Sequence, residues 1–205
     1  MQGRTRAGLL LVGLWIAACG SPPVGPTGVV EFEVVSEGFN VQNLQGSVIR
    51  RNGRTLASSQ SGSMGRGFNV AAIDSRSGNL LEAVATFDTY GTRDTGTEMT
   101  RLTAFIARMP NGTVLLIVVH DEAGLTSDSL SCLPNPTADS VCCRLNGHSW
   151  TDEGLRALEA LGATAIRRYC YRNSYAFIAV KGSGAKAEQL VNGTQAVVQY
   201  SILTS

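Results

Sequence analysis

The sequence predicts an α+β domain: a compact, β-sandwich-like body of mostly antiparallel sheets with two helices packed outside it. Three observations predict it. Segments with strand character recur along the chain from residue 29 to the end. Helical periodicity is confined to two stretches, 98–109 and 151–161. Glycine is abundant, with 23 among 205 residues, as a turn-rich chain requires. Apolar residues make up 43% and charged residues 16%, the balance of an ordinary globular domain. The net charge is +1 and the basic residues are scattered, so nothing points to a nucleic-acid partner.

The first 18 residues read as a leader. Arg4 and Arg6 precede an apolar stretch from Ala7 to Ile16 that is too short to span a bilayer. Ile16-Ala17-Ala18-Cys19 resembles a bacterial lipobox, in which Cys19 receives lipid after cleavage. Gly20 rather than an aspartate follows it, which fits sorting to an outer membrane. Residues 19–28, with Pro22, Pro23 and Pro26, read as a flexible tether. The expected location is therefore a bacterial cell envelope, with the folded domain spanning 29–205.

Within the domain, Val30, Phe32 and Val34 alternate with polar neighbours, the mark of a half-buried strand over 29–35. Residues 48–51 and 55–57 flank Asn52-Gly53, a hairpin signal. Phe68–Ile73 is a strand, 75–79 a turn, and Leu80–Phe87 the returning strand. Met99, Leu102, Phe105, Ile106 and Met109 share one face of a helix over 98–109, with Thr97 as its cap and Pro110-Asn111-Gly112 as its stop. Thr113–Val119 is a continuous, β-branched apolar run, expected as a central strand buried on both faces. Thr151 is the expected cap of a second helix whose stripe is Leu155, Leu158 and Leu161, closed by Gly162. Ile166–Tyr169 and Tyr175–Val180 read as strands, and 181–184 as a loop. Gln195–Leu203 is the last strand, with Val198, Tyr200 and Ile202 on one face.

Residues 123–148 form an irregular, cysteine-rich insertion. If Cys19 is lipidated, Cys132, Cys142, Cys143 and Cys170 remain as disulfide candidates. A bond between adjacent Cys142 and Cys143 is strained. Two schemes stay open, each joining Cys132 to one of that pair and Cys170 to the other. The separated C-x-x-C pairs that structural zinc prefers are missing, so no metal is expected here.

Five spaced motifs run through the domain: Gly65-Arg66-Gly67-Phe68-Asn69-Val70, Phe87-Asp88-Thr89-Tyr90, Asp121-Glu122, Leu158-Glu159-Ala160-Leu161-Gly162, and Tyr171-Arg172-Asn173-Ser174-Tyr175-Ala176-Phe177. In this order they resemble the interleukin-like EMT inducer family of cytokine-like secreted proteins, whose domain also forms the sugar-binding stem of an O-mannose glucosaminyltransferase. The resemblance implies a compact extracellular β-rich module that is not an enzyme and needs no cofactor. It places carbohydrate binding at Asp121 and Arg172, with Asn173 beside them and Tyr171 or Tyr175 as the aromatic cover. A carboxylate accepts from paired sugar hydroxyls, and a guanidinium donates through a rigid fork. The chain departs from the family pattern at Asn173, usually an aspartate, at Tyr175, usually a tryptophan, and in its cysteine-rich insertion.

Arg66 and Asp88 are expected as a buried structural pair. An ion pair pinning two strand ends is the competing role for Asp121 and Arg172. His120 and Asp121 are consecutive on a strand and diverge, so they do not suggest a metal site. No G-x-S-x-G elbow, convergent carboxylate pair or C-x-x-C redox motif is present. The expected function is a non-catalytic, lipid-anchored envelope module that binds carbohydrate. The alternative is a lipoprotein that binds an envelope or extracellular protein without sugar.

Overall fold

The computed structural model describes residues 28–39, 41, 46–126 and 145–204. The leader, Cys19 and Cys132, Cys142 and Cys143 lie outside the described residues. Nine strands and two helices follow in the order β1 (Gly28–Gly38), β2 (Val48–Arg51), β3 (Arg54–Ser58), β4 (Gly67–Ile73), β5 (Ala85–Phe87), α1 (Thr97–Arg108), β6 (Val114–Asp121), α2 (Ser149–Ala160), β7 (Ser174–Val180), β8 (Gly184–Val191) and β9 (Ala196–Thr204).

The strands form two antiparallel sheets, β3-β2-β1-β9 and β5-β4-β6-β7-β8. They meet where β1 and β6 end side by side, in a short parallel ladder pairing Glu37 with His120 and Gly38 with Asp121. The larger sheet is the middle layer. One face packs on the other sheet through Ala71, Ile73, Leu116, Val118 and Ile178, opposite Phe32, Val34, Ile49 and Val198. The other face packs on the helices through Phe68, Val70, Leu115, Ile117 and Phe177, opposite Leu102, Phe105, Leu155 and Leu158. The result is an α+β sandwich with a helical third layer.

The apolar run 114–119 explains this architecture. All six residues are 0% exposed, because alternate side chains enter opposite cores. Full burial of each such side chain contributes about 1.5–3 kcal/mol. In β9, Val198 and Ile202 face inward while Val197, Gln199, Ser201 and Leu203 are exposed, the alternation the sequence predicts.

Four expectations are corrected. The segment 80–87 is a strand only over 85–87, and Leu80 makes an isolated bridge to Ile73. Ile166–Tyr169 is a 3-10 turn over 166–168. Its three-residue period sends both Ile166 and Tyr169 into the helix-side core, which a strand cannot do. β8 was not anticipated. It is rich in Ala, Lys, Glu and Gln, which have low strand propensity, and it pairs with β7 alone. The helix caps also differ: left-handed Gly96, not Thr97, precedes α1. His148 precedes α2, and Thr151 is buried inside its first turn.

Candidate functional site

The carboxyl ends of β1 and β6 and the start of β7 converge on one small surface. Their backbones are locked by buried hydroxyls. Ser36 Oγ donates to Val119 O at 2.5 Å and accepts from Tyr175 N at 2.8 Å. Ser174 Oγ accepts from Gly38 N at 2.9 Å and donates to Thr194 O at 2.7 Å. Gly38 fits here because a Cβ would lie 2.1 Å from Arg172 O. The chain therefore needs glycine where β1 passes the start of β7.

Around this junction, Asp121 O accepts from Phe39 N at 3.1 Å, and the Arg172 guanidinium stacks on the Phe39 ring at 3.9 Å. Asp121 and Arg172 thus flank the same residue, which is 52% exposed. Arg172 also lies 4.7 Å from the ring centre of Tyr171. Asp121 and Arg172 are both partly exposed and make no ion pair with each other, so the strand-pinning role is not realised as a salt bridge. Both have φ of 63°; among the described residues the remaining non-glycine with positive φ is Asn52, in the β2–β3 turn. Left-handed backbone at a non-glycine residue costs of order 1–3 kcal/mol and collects at ligand sites.

Glu122 holds Arg172 in this conformation. It is 2% exposed and its carboxylate accepts from the backbone N–H groups of Arg172 and, at 2.8 Å, Gly124. The acidic motif is thus split: Asp121 faces outward and Glu122 braces the backbone from within.

A second arginine approaches from β4. Asn69 is fully buried and bonds the backbone on both sides of Arg66. It accepts from Gly65 N at 3.0 Å and donates to Gly65 O at 2.8 Å and Gly67 O at 3.2 Å. This turn projects Arg66 onto Asp88 as a bidentate pair at 2.9 and 2.7 Å. The pair forms as expected but is not buried, the side chains being 38% and 44% exposed. Arg66 holds the Asp88 carboxyl below its usual range, against a smaller opposing effect of burial. Arg66 and Arg93 both lie over the Tyr90 ring, at 4.8 and 4.6 Å. Burial, followed by a hydrogen bond to Tyr90, pushes the Tyr171 phenol up. Phe39, Tyr90 and Tyr171 thereby connect Arg66, Arg93 and Arg172 into one cationic and aromatic surface, with the Asp121 carboxylate in the field of Arg66.

Two candidates leave this surface. Tyr175 is 0% exposed and its hydroxyl donates to Glu188 at 2.9 Å, so it presents no ring face to a ligand. Asn173 is 5% exposed and lines a different cleft, beside β8. Cys170 is disulfide-bonded and 7% exposed, with its partner outside the described residues. Sequence reasoning missed Phe39, Tyr90 and Glu122 as site residues. Tyr90 and Glu122 sit inside quoted motifs, whereas Phe39 carries no signal beyond an apolar ring at a strand end. Among the described residues no three His, Cys, Asp or Glu side chains gather as a metal site.

A sequence profile of the interleukin-like EMT inducer family matches residues 66–133 and 136–183, more than half of the chain. The chain belongs to that family. The match spans the Arg66 turn, Asp88, Asp121 and Arg172. Protein FAM3C of Xenopus laevis and Protein FAM3A of Homo sapiens are each 26% identical over 184 residues, covering 89% of this chain and 66% of their own length. Protein FAM3B of Homo sapiens is 29% identical over 127 residues, covering 62% of this chain and 42% of its own length. Membership of the interleukin-like EMT inducer family supports a non-catalytic binding or signalling module.

Proposed function

We propose that this protein is an exported, non-catalytic module that binds carbohydrate between Phe39, Asp121, Tyr171 and Arg172, and that lipid on Cys19 tethers it to a bacterial cell envelope, as an outer-membrane lipoprotein. The observation that carries the reading is the pair Asp121 and Arg172. Each holds a left-handed backbone, both contact Phe39, Asp121 through its backbone carbonyl and Arg172 through its guanidinium on the exposed ring, and they form no ion pair with each other. A sugar needs this combination: a carboxylate that accepts from hydroxyls, a guanidinium that donates to them, and a flat ring for its C–H face. Phe39 takes the role that the sequence assigned to Tyr175. In this reading the insertion 123–148 is braced by disulfides, with Cys132 bonded to one of Cys142 and Cys143 and Cys170 to the other.

The test is a glycan array probed with the purified protein. The wild type binds a defined glycan set, and Arg172→Ala weakens that binding about tenfold or more, the value of a charge-assisted hydrogen bond, with an unchanged circular dichroism spectrum. A second reading, a protein partner without sugar, is favoured by Val29 and Leu203. These cross-strand neighbours are 58% and 73% exposed on the smaller sheet. An array without any bound glycan, together with a partner lost on Leu203→Lys, would replace the first reading with the second.

A further inference from the structure

The end of the molecule where β1 begins gathers exposed apolar side chains. Gly28 stands there opposite Thr204, and Val29 pairs with Leu203. The turn 75–79 closes over the same end: Gly78 packs on Val30, where a Cβ would lie 3.0 Å from Cγ2. Leu80 bridges Ile73 at the end of β4, and Leu81 N donates to Ala72 O at 2.9 Å. Val29, Leu80, Leu81 and Leu203 are four of the six large apolar side chains that stand exposed among the described residues. Single exposed apolar residues are ordinary, whereas a cluster at one end marks a contact surface.

Arginines stand among them. The β2–β3 turn reaches this end, since Asn52 N donates to Glu31 O at 2.8 Å. Arg51, before that turn, donates to Asn79 Oδ1 at 2.7 Å, a neutral partner that leaves its charge uncompensated. Arg54, after it, and Arg76, in the turn 75–79, are exposed, and neither guanidinium has a hydrogen-bond, ion-pair or ring partner among the described residues. Lys186, exposed beside the turn 181–184, adds a fourth cation. Two carboxylates oppose these four. Glu31 is exposed, and Asp74 is taken up by its own turn, accepting from Arg76 N at 3.0 Å and Ser77 N at 2.7 Å. Arg108 and Glu82 cancel as an ion pair. At the opposite end, Arg66, Arg93 and Arg172 are matched in number by Asp88, Asp121 and Glu122. The positive excess thus coincides with the apolar cluster.

We infer that this end is a docking surface for anionic phospholipid. Val29 and Leu203 enter the headgroup layer, and Arg51, Arg54 and Arg76 meet lipid phosphates, which a guanidinium recognises through its rigid fork. The inference rests on the lipid anchor proposed for Cys19. Gly28 lies nine residues after Cys19, a span of at most about 32 Å, so an anchored chain keeps this end within reach of the bilayer. The anchor and the unpaired arginines decide for a lipid surface over a protein partner on the same Val29–Leu203 patch.

The described strands and helices and both cores lie within 28–204, so residues 27–205 fold without what precedes them. The experiment sediments that protein, which carries no lipid, with vesicles of phosphatidylcholine alone or mixed equally with phosphatidylglycerol. Binding to the mixed vesicles is expected, weaker at high salt and weaker on phosphatidylcholine alone. Arg54→Gln and Arg76→Gln, which break no contact, each weaken it about fivefold, and Leu203→Ser weakens it several-fold. Arg172→Ala leaves it unchanged, so failure of the glycan reading is separable. Palmitate labelling of the full chain in cells, against Cys19→Ser, reports the anchor separately. Vesicle binding without label overturns the anchor and leaves the docking surface standing. Failure to bind the mixed vesicles at low salt overturns the inference. So does binding that is equal on neutral vesicles and indifferent to the arginine variants. A dimer or protein complex that Leu203→Ser disrupts, without vesicle binding, gives this end to a protein and likewise overturns it.

Discussion

At Arg172 the chain accepts a backbone conformation that an arginine disfavours, and the compensation is local. The Glu122 carboxylate receives its N–H, and the Phe39 ring receives its guanidinium. The neighbouring His120 is the residue through which pH reaches this corner. Its Nδ1 lies 3.1 Å from Ser47 Oγ, and burial lowers its pKa below the usual 6.5, against opposing effects of Asp121 and Glu37. The folded protein therefore binds fewer protons than the unfolded chain as pH falls below about 6.5. The contribution is fully present above that value and is lost as pH falls through the folded-state pKa, with a slope of at most about 1.4 kcal/mol per pH unit. Urea midpoints of wild type and His120→Gln, compared from neutral pH to pH 5, check this. The wild type loses more stability on acidification; parallel curves would mean that His120 titrates equally in both states.

Elements were legible in proportion to how strongly their burial is patterned. The helix stripes Met99-Leu102-Phe105-Ile106 and Leu155-Leu158 are buried as the 3.6-residue period requires. β6 and β9 follow from a run and an alternation. β8 was illegible because an edge strand, partly exposed along its whole length, imposes no apolar pattern. The turn at 166–168 was misread because Ile166 and Tyr169 are residue types that strands favour and four residues are too few to show a period. In the site, Asp121 and Arg172 were found through motifs, but a sequence does not state which way a left-handed residue turns its neighbours. Hence Asn173 and Tyr175 were grouped with Arg172, while the fold sends one to the β8 cleft and the other to the core. The stripe makes a prediction for α2: Leu158→Ala, at a side chain 0% exposed, costs about 2–5 kcal/mol. It shifts the denaturant midpoint with little change in slope. A cost under half a kilocalorie would show that α2 is not integral to the helix-side core.

For the whole molecule, the middle sheet belongs to both cores, so neither outer layer can be removed without exposing one face of β4, β6 and β7. One cooperative transition is expected. Trp150 is a suitable reporter of the helical layer: its Nε1 donates to Arg93 O at 3.1 Å, and a Cβ on Gly96 would lie 2.2 Å from its ring. With residues 1–26 removed it is the single tryptophan. Its fluorescence and the far-ultraviolet strand signal should report the same midpoint in urea. Two separated midpoints would divide the molecule into a helical layer and an independent sandwich.

The rungs of β1 with β9 also fix an orientation. Gly28 stands opposite Thr204, while the other end of the same strand, Gly38, abuts Arg172. β1 is eleven residues long, so its two ends stand ten rises apart, about 33 Å. A support attached directly at Gly28 or Thr204 would therefore sit on the pole opposite the Phe39 surface and leave that surface facing outward.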